Sequence, residues 1–305
     1  MRWGLLAIVL TMVLTACAGG EPTPPGTIPG PAGTEAGADQ DRAQLWWVPV
    51  QPYQDTSTRY LLETMLYRPP GAGPFPLVTI NHGIPADKWN LRAIRPAFEA
   101  AANWWVAQGY AVAVPLRRGI GRSQGDLAEW NDGCDVDDFL RLAFVSAIDM
   151  EGVIRYLAAQ PFVDPHRVVV VGQSAAGFGG LAIAADPPPG ILAVIDFAGG
   201  VGGYGDGSIC GGADHLVEAT RQLGERGKLP ELWLYAANDQ WFGHVARRMF
   251  DAYRAGAKAP IRFVDLPPFE ADGHGTLYRA DPAVWSPAVT DFLKTLPALS
   301  ATAGG

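Results

Sequence analysis

The stretch RVVVVGQSAAG, residues 167–177, decides the fold that we predict for this chain. Four consecutive valines lead through Gly172 and Gln173 to Ser174, and only small residues follow. A short run that is apolar throughout is typical of a parallel strand that is buried on both faces. Ser174 then stands where the strand ends, either as a nucleophile on a strained turn or as a small residue that lets the strand pack closely on a helix. Both interpretations require small neighbours, so other parts of the chain have to decide between them.

Strand-like and helix-like stretches alternate on both sides of this segment. Such alternation predicts one three-layer α/β sandwich with a mostly parallel central sheet, and no composition change divides it into two domains. The strand-like runs lie at residues 59–69, 75–83, 110–119, 167–173, 191–200, 231–239 and 261–269, and the helical patterns lie at 92–108, 137–160, 243–255 and 283–295.

The first residues are typical of a secretion signal. Arg2 precedes an apolar run that is too short to span a bilayer. Leu14-Thr15-Ala16-Cys17 resembles the lipobox of bacterial lipoproteins, which implies that residues 1–16 are removed and that Cys17 carries lipid. An ordinary secretory signal is the alternative. Both interpretations place the mature protein outside the cytoplasm, and the lipid would anchor it to a membrane of the cell envelope, the outer membrane in a Gram-negative source.

The amino-acid composition indicates which of the remaining segments fold and which partners are excluded. Residues 17–44 are dominated by proline and glycine, so we predict a tether there, followed by the folded domain over 45–297 and a disordered tail over 298–305. Hydrophobic residues make up 48% of the 305-residue chain and charged residues 18%, as expected of a protein with a large core. The formal net charge of −8 argues against a nucleic-acid partner, because binding a polyanion requires a positive surface.

Three cysteines occur in the chain, and lipidation would use one of them. Cys134 and Cys210 then remain in an oxidising compartment, where two such residues often form a disulfide. Two buried free thiols are the alternative. Neither cysteine has neighbours spaced like metal ligands, so we predict no metal and no cofactor.

Chemically active residues follow three more of the strand-like runs. Asp239 ends the run at 231–239, His274 follows the last run within ten residues, and His82-Gly83 ends the run at 75–83. In an open α/β sheet, ligands bind beyond the carboxyl ends of the strands, so these residues and Ser174 should meet there. Their order and placement resemble the α/β-hydrolase family, and in particular its dienelactone-hydrolase and prolyl-oligopeptidase-like branch, over residues 59–296.

The resemblance implies a role for each of these residues. Ser174 would be the nucleophile, His274 the general base and then acid, and Asp239 the group that orients the imidazole. The backbone N–H groups of Ala175 and Ile84 would form the oxyanion hole. The family pattern G-x-S-x-G departs at Ala176, where alanine replaces glycine, and dienelactone hydrolases themselves carry cysteine at the nucleophile position. The resemblance therefore favours ester cleavage over lactone cleavage.

Other residues compete for these roles or surround them. Asp196 lies near the end of the run at 191–200 and is a rival for the acid. Trp241, Phe242 and His82 are candidates for lining a substrate pocket, although ordinary packing, and for His82 a loop-shaping role, explain them as well. The basic segment at 117–123 indicates a salt-bridged loop, and the acids at 132–138 are typical of a helix N-terminus.

The sequence thus predicts a serine hydrolase that cleaves small-molecule carboxylic esters through an acyl-enzyme. Peptidases of the prolyl-oligopeptidase-like group are one alternative. A catalytically silent envelope protein that uses the same fold for binding is another.

Overall fold

An eight-stranded sheet forms the centre of the computed structural model, which describes residues 43–52, 57–84, 88–129 and 133–300. The predicted signal peptide, Cys17 and most of the predicted tether lie outside these residues and stay predictions. The strands are β1 (Ala43–Val50), β2 (Tyr60–Tyr67), β3 (Phe75–Asn81), β4 (Ala111–Pro115), β5 (Val163–Gln173), β6 (Ile191–Phe197), β7 (Glu231–Ala236) and β8 (Ile261–Leu266). The α-helices are α1 (Glu99–Ala107), α2 (Val136–Ala158), α3 (Ala175–Ala185), α4 (Ala213–Arg226), α5 (Gly243–Arg254), α6 (Thr276–Arg279), α7 (Ser286–Leu293) and α8 (Pro297–Ser300).

The strand order across the sheet is β1-β2-β4-β3-β5-β6-β7-β8. β1 and β2 pair antiparallel at one edge, β2 also pairs antiparallel with β4, and every other pair is parallel. The carboxyl ends of β3, β5, β6, β7 and β8 therefore meet at one edge of the sheet. Each predicted strand is present, and the three-layer α/β prediction is confirmed.

The valine run of β5 is buried on both faces, as its composition predicts. Val168 and Val170 belong to the core under α2, α3, α4 and α5, whereas Val169 and Val171 belong to the core under α1, α7 and α8. All four side chains are fully buried. Burying each one stabilises the fold by roughly 1.5 kcal/mol or more relative to leaving it exposed. This strand holds Ser174 on a rigid support, because both layers of helices pack against it.

The folded domain begins slightly earlier than position 45. β1 starts at Ala43, and its register with β2 runs from Ala43 opposite Tyr67 to Val50 opposite Tyr60. Hydrogen bonds to β2 extend β1 to residues that are not buried. The apolar pattern of the sequence marks only the buried residues, so it does not show where the strand begins.

The predicted helix at 92–108 is wrong in its first half. A 3₁₀ helix spans Lys88–Ala93, and α1 begins only at Glu99. Pro96 disfavours helical backbone at the residue before it. Phe98 adopts a left-handed conformation with φ 67°, and its ring is buried. This irregular segment lies beside the candidate site described below.

The predicted disordered tail is wrong for its first residues. Pro297–Ser300 form a short helix, and the Leu299 side chain is buried in the core beneath α1 and α7. The burial of one leucine holds this turn in place, whereas composition alone gave no sign of a helix. Residues 301–305 lie outside the described part.

A disulfide joins Cys134 to Cys210, with the two Cα atoms 5.2 Å apart. It ties the residue before the N-cap of α2 to the glycine-rich loop at 198–212. Closing a loop across 76 positions of sequence stabilises the fold by about 4 kcal/mol in the chain-entropy model. Within the described residues, no helix is both long enough and apolar enough to cross a membrane.

Candidate active site

Ser174 occupies a strained turn between β5 and α3. Its backbone has φ 58° and ψ −123°, a combination that side-chain-bearing residues rarely adopt. The serine donates its backbone N–H to the Phe197 carbonyl at 3.0 Å, and its own carbonyl accepts from Phe178 at 3.0 Å. Strain of this kind persists only where the surroundings enforce it, and it is concentrated at functional sites. The turn therefore favours the nucleophile interpretation over simple close packing.

The small residues around Ser174 leave room for the turn in different ways. A Cβ added at Gly172 would lie 2.3 Å from the Ala176 carbonyl oxygen, and one added at Gly177 would lie 2.0 Å from Asp196 Oδ1. Ala176 itself is fully buried and its methyl group is accommodated. The departure from G-x-S-x-G at Ala176 is thus harmless here, because the close approach behind the turn occurs at Gly177.

His274 and Asp239 lie side by side, as their positions after β8 and β7 predict. His274 Nδ1 is 3.2 Å from Asp239 Oδ1 and 3.3 Å from Asp239 Oδ2. The same Oδ1 accepts the backbone N–H groups of Trp241 at 2.8 Å and Phe242 at 3.2 Å. The two backbone donors hold the carboxylate in place. The carboxylate in turn orients the imidazole through Nδ1, and Nε2 takes no part in this pair.

Aromatic rings enclose the imidazole. The Trp241 ring stacks on His274 with centroids 5.1 Å apart and an angle of 22°, and the Phe242 ring lies 5.6 Å away. Both residues were predicted to line a pocket, and each also holds the catalytic candidates in place through its backbone or ring. Trp241 Nε1 donates to Asp272 Oδ2 at 3.2 Å, which sets the plane of the indole.

Sequence reasoning missed two residues that hold the loop carrying His274. Asn238 accepts from Phe269 N at 2.9 Å and donates to the carbonyls of Phe269 and Glu270. Asp272 Oδ1 accepts the backbone N–H of His274 at 3.0 Å and that of Gln240 at 3.1 Å. Their positions, each next to or near a predicted site residue, were the only signal in the sequence.

The loop at 82–84 packs directly against the serine. A Cβ added at Gly83 would lie 2.6 Å from Ser174 Cβ and 3.1 Å from Ser174 Oγ, so only glycine allows this approach. Ile84 follows at once and lines the same cavity as Ser174 and His274. The predicted oxyanion donors, Ala175 at the start of α3 and Ile84, are therefore both near Ser174. Ala175 N–H is also one of the groups that have no partner inside the helix.

His82 holds this loop in a defined orientation. Its Nδ1 contacts the Gly83 carbonyl at 2.6 Å, and its Nε2 accepts the backbone N–H of Arg117 at 3.2 Å. The pKa of His82 lies well below its ordinary value, chiefly because of burial and also because of the Arg117 charge. A neutral imidazole with the proton on Nδ1 fits both contacts. Because the Gly83 carbonyl and the Ile84 N–H share one peptide plane, His82 orients the predicted oxyanion donor.

Gln173 connects the two loops that face Ser174, and sequence reasoning missed it. Its Oε1 accepts the Gly83 N–H at 3.1 Å, and its Nε2 donates to the His274 carbonyl at 3.1 Å. The side chain is buried and belongs to the residue before Ser174. One amide thus sets the separation between the loop at 82–84 and the loop that carries the histidine.

Two cavities meet at Ser174. The larger, of about 550 Å³, is lined among others by His82, His274 and Arg279. The smaller, of about 220 Å³, is lined among others by Ala175 and Phe242. Ser174, Ile84 and Trp241 line both cavities, so the serine stands at the junction of the two.

Asp196, the rival for the acid, lies in the core. It is fully buried in β6, and the Tyr235 hydroxyl contacts its Oδ2 at 3.3 Å. Burial, followed by the neighbouring Glu231 charge, raises the pKa of Asp196 well above its ordinary value. It lines neither cavity, so the geometry favours Asp239 as the partner of His274.

Glu231 should make the stability of the protein depend on pH. Burial raises its pKa from 4.5 to about 8, although Trp233 Nε1 and the Tyr253 hydroxyl both donate to it. At a pH between these two pKa values, the folded protein holds a proton that the unfolded chain has lost. The free energy of unfolding therefore falls as the pH rises from the lower pKa to the higher one. Glu231→Gln keeps an acceptor and removes the titration. We expect its free energy of unfolding, measured in urea at pH 5, 6.5 and 8, to fall less steeply than that of the wild type.

The pKa of Asp196 is also raised, so this carboxyl contributes to the same pH dependence. The free energy of unfolding of Glu231→Gln should therefore still fall with rising pH, although less steeply than that of the wild type. Asp196→Asn provides the second arm of the test, and the combined variant should be the flattest of the set. Equal slopes for the wild type and Glu231→Gln would show that the buried carboxyl does not titrate in this range.

The basic segment at 117–123 forms the predicted salt-bridged loop. Arg118 Nε pairs with Asp149 at 2.7 Å, and Arg122 pairs with Glu63 at 2.6 Å. Arg117 pairs with Glu129, and both side chains are buried. The acids at 132–138 include the N-cap of α2, where Asp135 and Asp138 form a capping box.

Comparisons with known proteins agree with this architecture. Residues 58–254 match the family model described as X-Pro dipeptidyl-peptidase, family S15. No curated protein matches the chain.

Solved structures of three other proteins show the same fold at low sequence identity. A putative dienelactone hydrolase from Klebsiella pneumoniae is 22% identical, with a TM-score of 0.53 over 82% of this chain and 97% of its own. An esterase of Pyrococcus furiosus is 14% identical, with a TM-score of 0.55 over 83% of this chain and 93% of its own. Dipeptidyl peptidase 4 of Porphyromonas gingivalis is 13% identical, with a TM-score of 0.57 over 84% of this chain and 36% of its own. With its strand order, its strained serine turn and the matched family model, the chain has the α/β-hydrolase fold and belongs to the X-Pro dipeptidyl-peptidase family S15.

Proposed function

We propose that this protein is a serine hydrolase that cleaves carboxylic esters through an acyl-enzyme, with Ser174, His274 and Asp239 as its catalytic residues. One observation carries the proposal. A strained serine and an imidazole line the same cavity, and the imidazole is hydrogen-bonded to Asp239 behind it. A serine hydroxyl needs a base close by to become nucleophilic, and the imidazole needs a carboxylate to hold its tautomer.

The chemistry follows from these positions. Ser174 Oγ attacks the ester carbonyl while His274 Nε2 takes its proton, and Asp239 stabilises the imidazolium that forms. The backbone N–H groups of Ala175 and Ile84 stabilise the negative charge on the carbonyl oxygen. The C–O bond to the leaving group then breaks as His274 returns the proton to the departing oxygen. Water attacks the acyl-enzyme by the same route, which releases the acid and restores the serine.

Peptide cleavage is the second candidate, because the matched family model is named for X-Pro dipeptidyl-peptidases. Such a substrate carries an N-terminal ammonium group, which needs a free carboxylate for recognition. The acids that line the two cavities already have partners: Glu129 pairs with Arg117, Glu270 pairs with Arg279, and Asp272 accepts three N–H groups. These existing contacts favour an ester with an uncharged acyl group.

Ser174→Ala is expected to abolish labelling by a fluorophosphonate probe, because the probe bonds only to an activated serine oxygen. Labelling should be followed by in-gel fluorescence at equal protein concentration. Ser146→Ala is the matched control, since Ser146 is also buried but faces Gly179 rather than either cavity. It should label at the wild-type rate. If the wild type does not label, the protein is a silent binding member of the fold. If Ser174→Ala labels equally, Ser174 is not the labelled nucleophile, and the proposed catalytic residues are wrong.

A substrate panel separates esterase from peptidase. We expect p-nitrophenyl acetate and butyrate to be cleaved with a higher kcat/KM than an Xaa-Pro p-nitroanilide, each activity being lost in Ser174→Ala. A higher kcat/KM for the dipeptide anilide would favour the peptidase function.

A further inference from the structure

We propose that the two cavities divide the substrate between them, so that the smaller takes a short, uncharged acyl group and the larger takes a bulkier, polar leaving group. The inference rests on the proposed function and specifies its substrate class. It predicts that the natural substrates are short-chain acyl esters of large polar alcohols.

The assignment of each cavity follows from the placement of the catalytic groups. His274 lines only the larger cavity, whereas Ala175 lines only the smaller one. The leaving-group oxygen has to receive its proton from His274, so the leaving group extends into the cavity that the imidazole faces. The carbonyl oxygen points to the N–H groups of Ala175 and Ile84. The acyl chain is then left to extend away from His274, into the smaller cavity.

The walls of the smaller cavity suit an apolar chain. Leu142, Val201 and Phe242 contribute apolar side chains. Glu129 is the one ionisable side chain among its described lining residues apart from the phenol of Tyr204, and Arg117 Nε and Nη2 bond both of its carboxylate oxygens. An anion or cation in the acyl group would therefore lack a free partner of opposite charge there.

The size of the smaller cavity restricts the length of the chain. Its volume of about 220 Å³ lies below the range of roughly 300–1,000 Å³ that is usual for small-molecule sites. A Cβ at Gly203 would lie 2.9 Å from the Phe242 ring, so the loop backbone packs against that ring with no space between them. The disulfide at Cys210, itself part of the lining, holds the loop against α2. The wall is therefore close to the serine and fixed in place.

The larger cavity has the opposite character. Its volume of about 550 Å³ is within the usual range for a small-molecule site. Four charged side chains line it, namely Arg95, Glu270, Asp272 and Arg279, and the partly exposed Tyr278 ring lies at its edge. The wall of this cavity is therefore polar, although its two acids already have partners within the chain, and the aromatic ring beside these groups suits a hydroxylated ring such as a sugar.

Chain-length selectivity tests the acyl assignment. With p-nitrophenol as the constant leaving group, we expect wild-type kcat/KM to fall by about tenfold or more between the butyrate and octanoate esters, because a small cavity with a fixed wall leaves little room for additional methylenes. Leu142→Ala should reduce this ratio to about threefold or less, since it extends the smaller cavity. Ile94→Ala is the matched control, because Ile94 lines only the larger cavity, and it should leave the ratio unchanged.

Leaving-group selectivity tests the second half of the proposal. With acetate as the constant acyl group, the wild type should prefer an acetylated methyl glucoside over ethyl acetate by about tenfold. Ile94→Ala should change this preference and Leu142→Ala should not. Val201→Ala repeats the acyl test in a loop residue, in case truncation of Leu142 in α2 prevents folding.

The reverse pattern would overturn the inference: chain-length selectivity that responds to Ile94→Ala and not to Leu142→Ala or Val201→Ala. Fluorophosphonate labelling separates this failure from failure of the proposed function. A protein that labels at Ser174 but shows the reverse selectivity disproves only the division of the substrate, whereas a protein that does not label disproves both.

Discussion

Replacing Asp239 by asparagine should lower kcat for an ester substrate by about three to four orders of magnitude. The carboxylate faces His274 Nδ1 at 3.2 and 3.3 Å and is held by the backbone N–H groups of Trp241 and Phe242. An amide at this position would keep the size of the side chain but would favour the wrong imidazole tautomer and would not stabilise the imidazolium, and the effect in serine proteases is about 10⁴-fold. The measurement is kcat for p-nitrophenyl butyrate, with circular dichroism and thermal unfolding to show that the variant folds.

Asp196→Asn is the control for this experiment. Asp196 is buried in β6 with a raised pKa, and asparagine closely resembles the protonated acid. We expect kcat within about threefold of the wild type, because this side chain lies outside both cavities and a buried near-isosteric change has no effect on the transition state. A large loss in Asp196→Asn combined with an active Asp239→Asn would transfer the role of the acid to the earlier strand.

Replacing Glu129 by glutamine should reduce the free energy of unfolding by about 3–5 kcal/mol, the largest stability change that we predict. The Arg117 side chain is fully buried, Glu129 is almost fully buried, and the two form a bidentate pair. Glutamine would leave a buried guanidinium without an opposing charge, which is strongly destabilising. Urea unfolding measures the effect. Glu218→Gln removes an exposed partner of Arg221 and is the control, since a solvent-exposed ion pair contributes little and the unfolding curve should stay close to that of the wild type.

A double variant separates the stability of this pair from its effect on the site. Arg117→Met combined with Glu129→Leu removes both charges and should recover most of the lost stability, since apolar pairs often replace buried ion pairs at little cost. Its activity should be lower than that of the wild type, because Arg117 Nη1 also donates to the His82 carbonyl at 2.6 Å and so holds the loop of the predicted oxyanion donor. A double variant as unstable as Glu129→Gln would show that the charge imbalance is not the cause.

Most of the sheet could be predicted from the sequence, because buried parallel strands leave a strong pattern. Apolar runs such as Val168–Val171 have to be apolar at every position when both faces are covered. The exits of these strands are equally predictable, since the carboxyl ends of parallel strands meet at one edge. Ser174, Asp239 and His274 could therefore be assigned to one region before their contacts were known.

The irregular segments around the site could not be predicted in the same way. The segment before α1 has a helical apolar pattern, but Pro96 and the left-handed Phe98 break it and place Ile94 and Arg95 against the larger cavity. α4 was also missed, although its buried residues Leu216, Ala219, Thr220 and Leu223 recur at helical spacing. Before α1, Pro96 gave a local sign of the break, whereas the left-handed backbone at Phe98 had none in the sequence.

The sequence by itself determined the layers, the strand exits and the identity of the three candidate catalytic residues, because these depend on burial patterns and chain order. The tertiary structure alone decided how the loops at the strand exits are held relative to one another. Gln173 joins the Gly83 N–H to the His274 carbonyl across long separations in sequence, and no local pattern encodes such a contact. The stretch RVVVVGQSAAG contains residues of both kinds. Its valines specify a buried strand by their composition alone. The role of Gln173 depends on two loops that come together only in the folded protein.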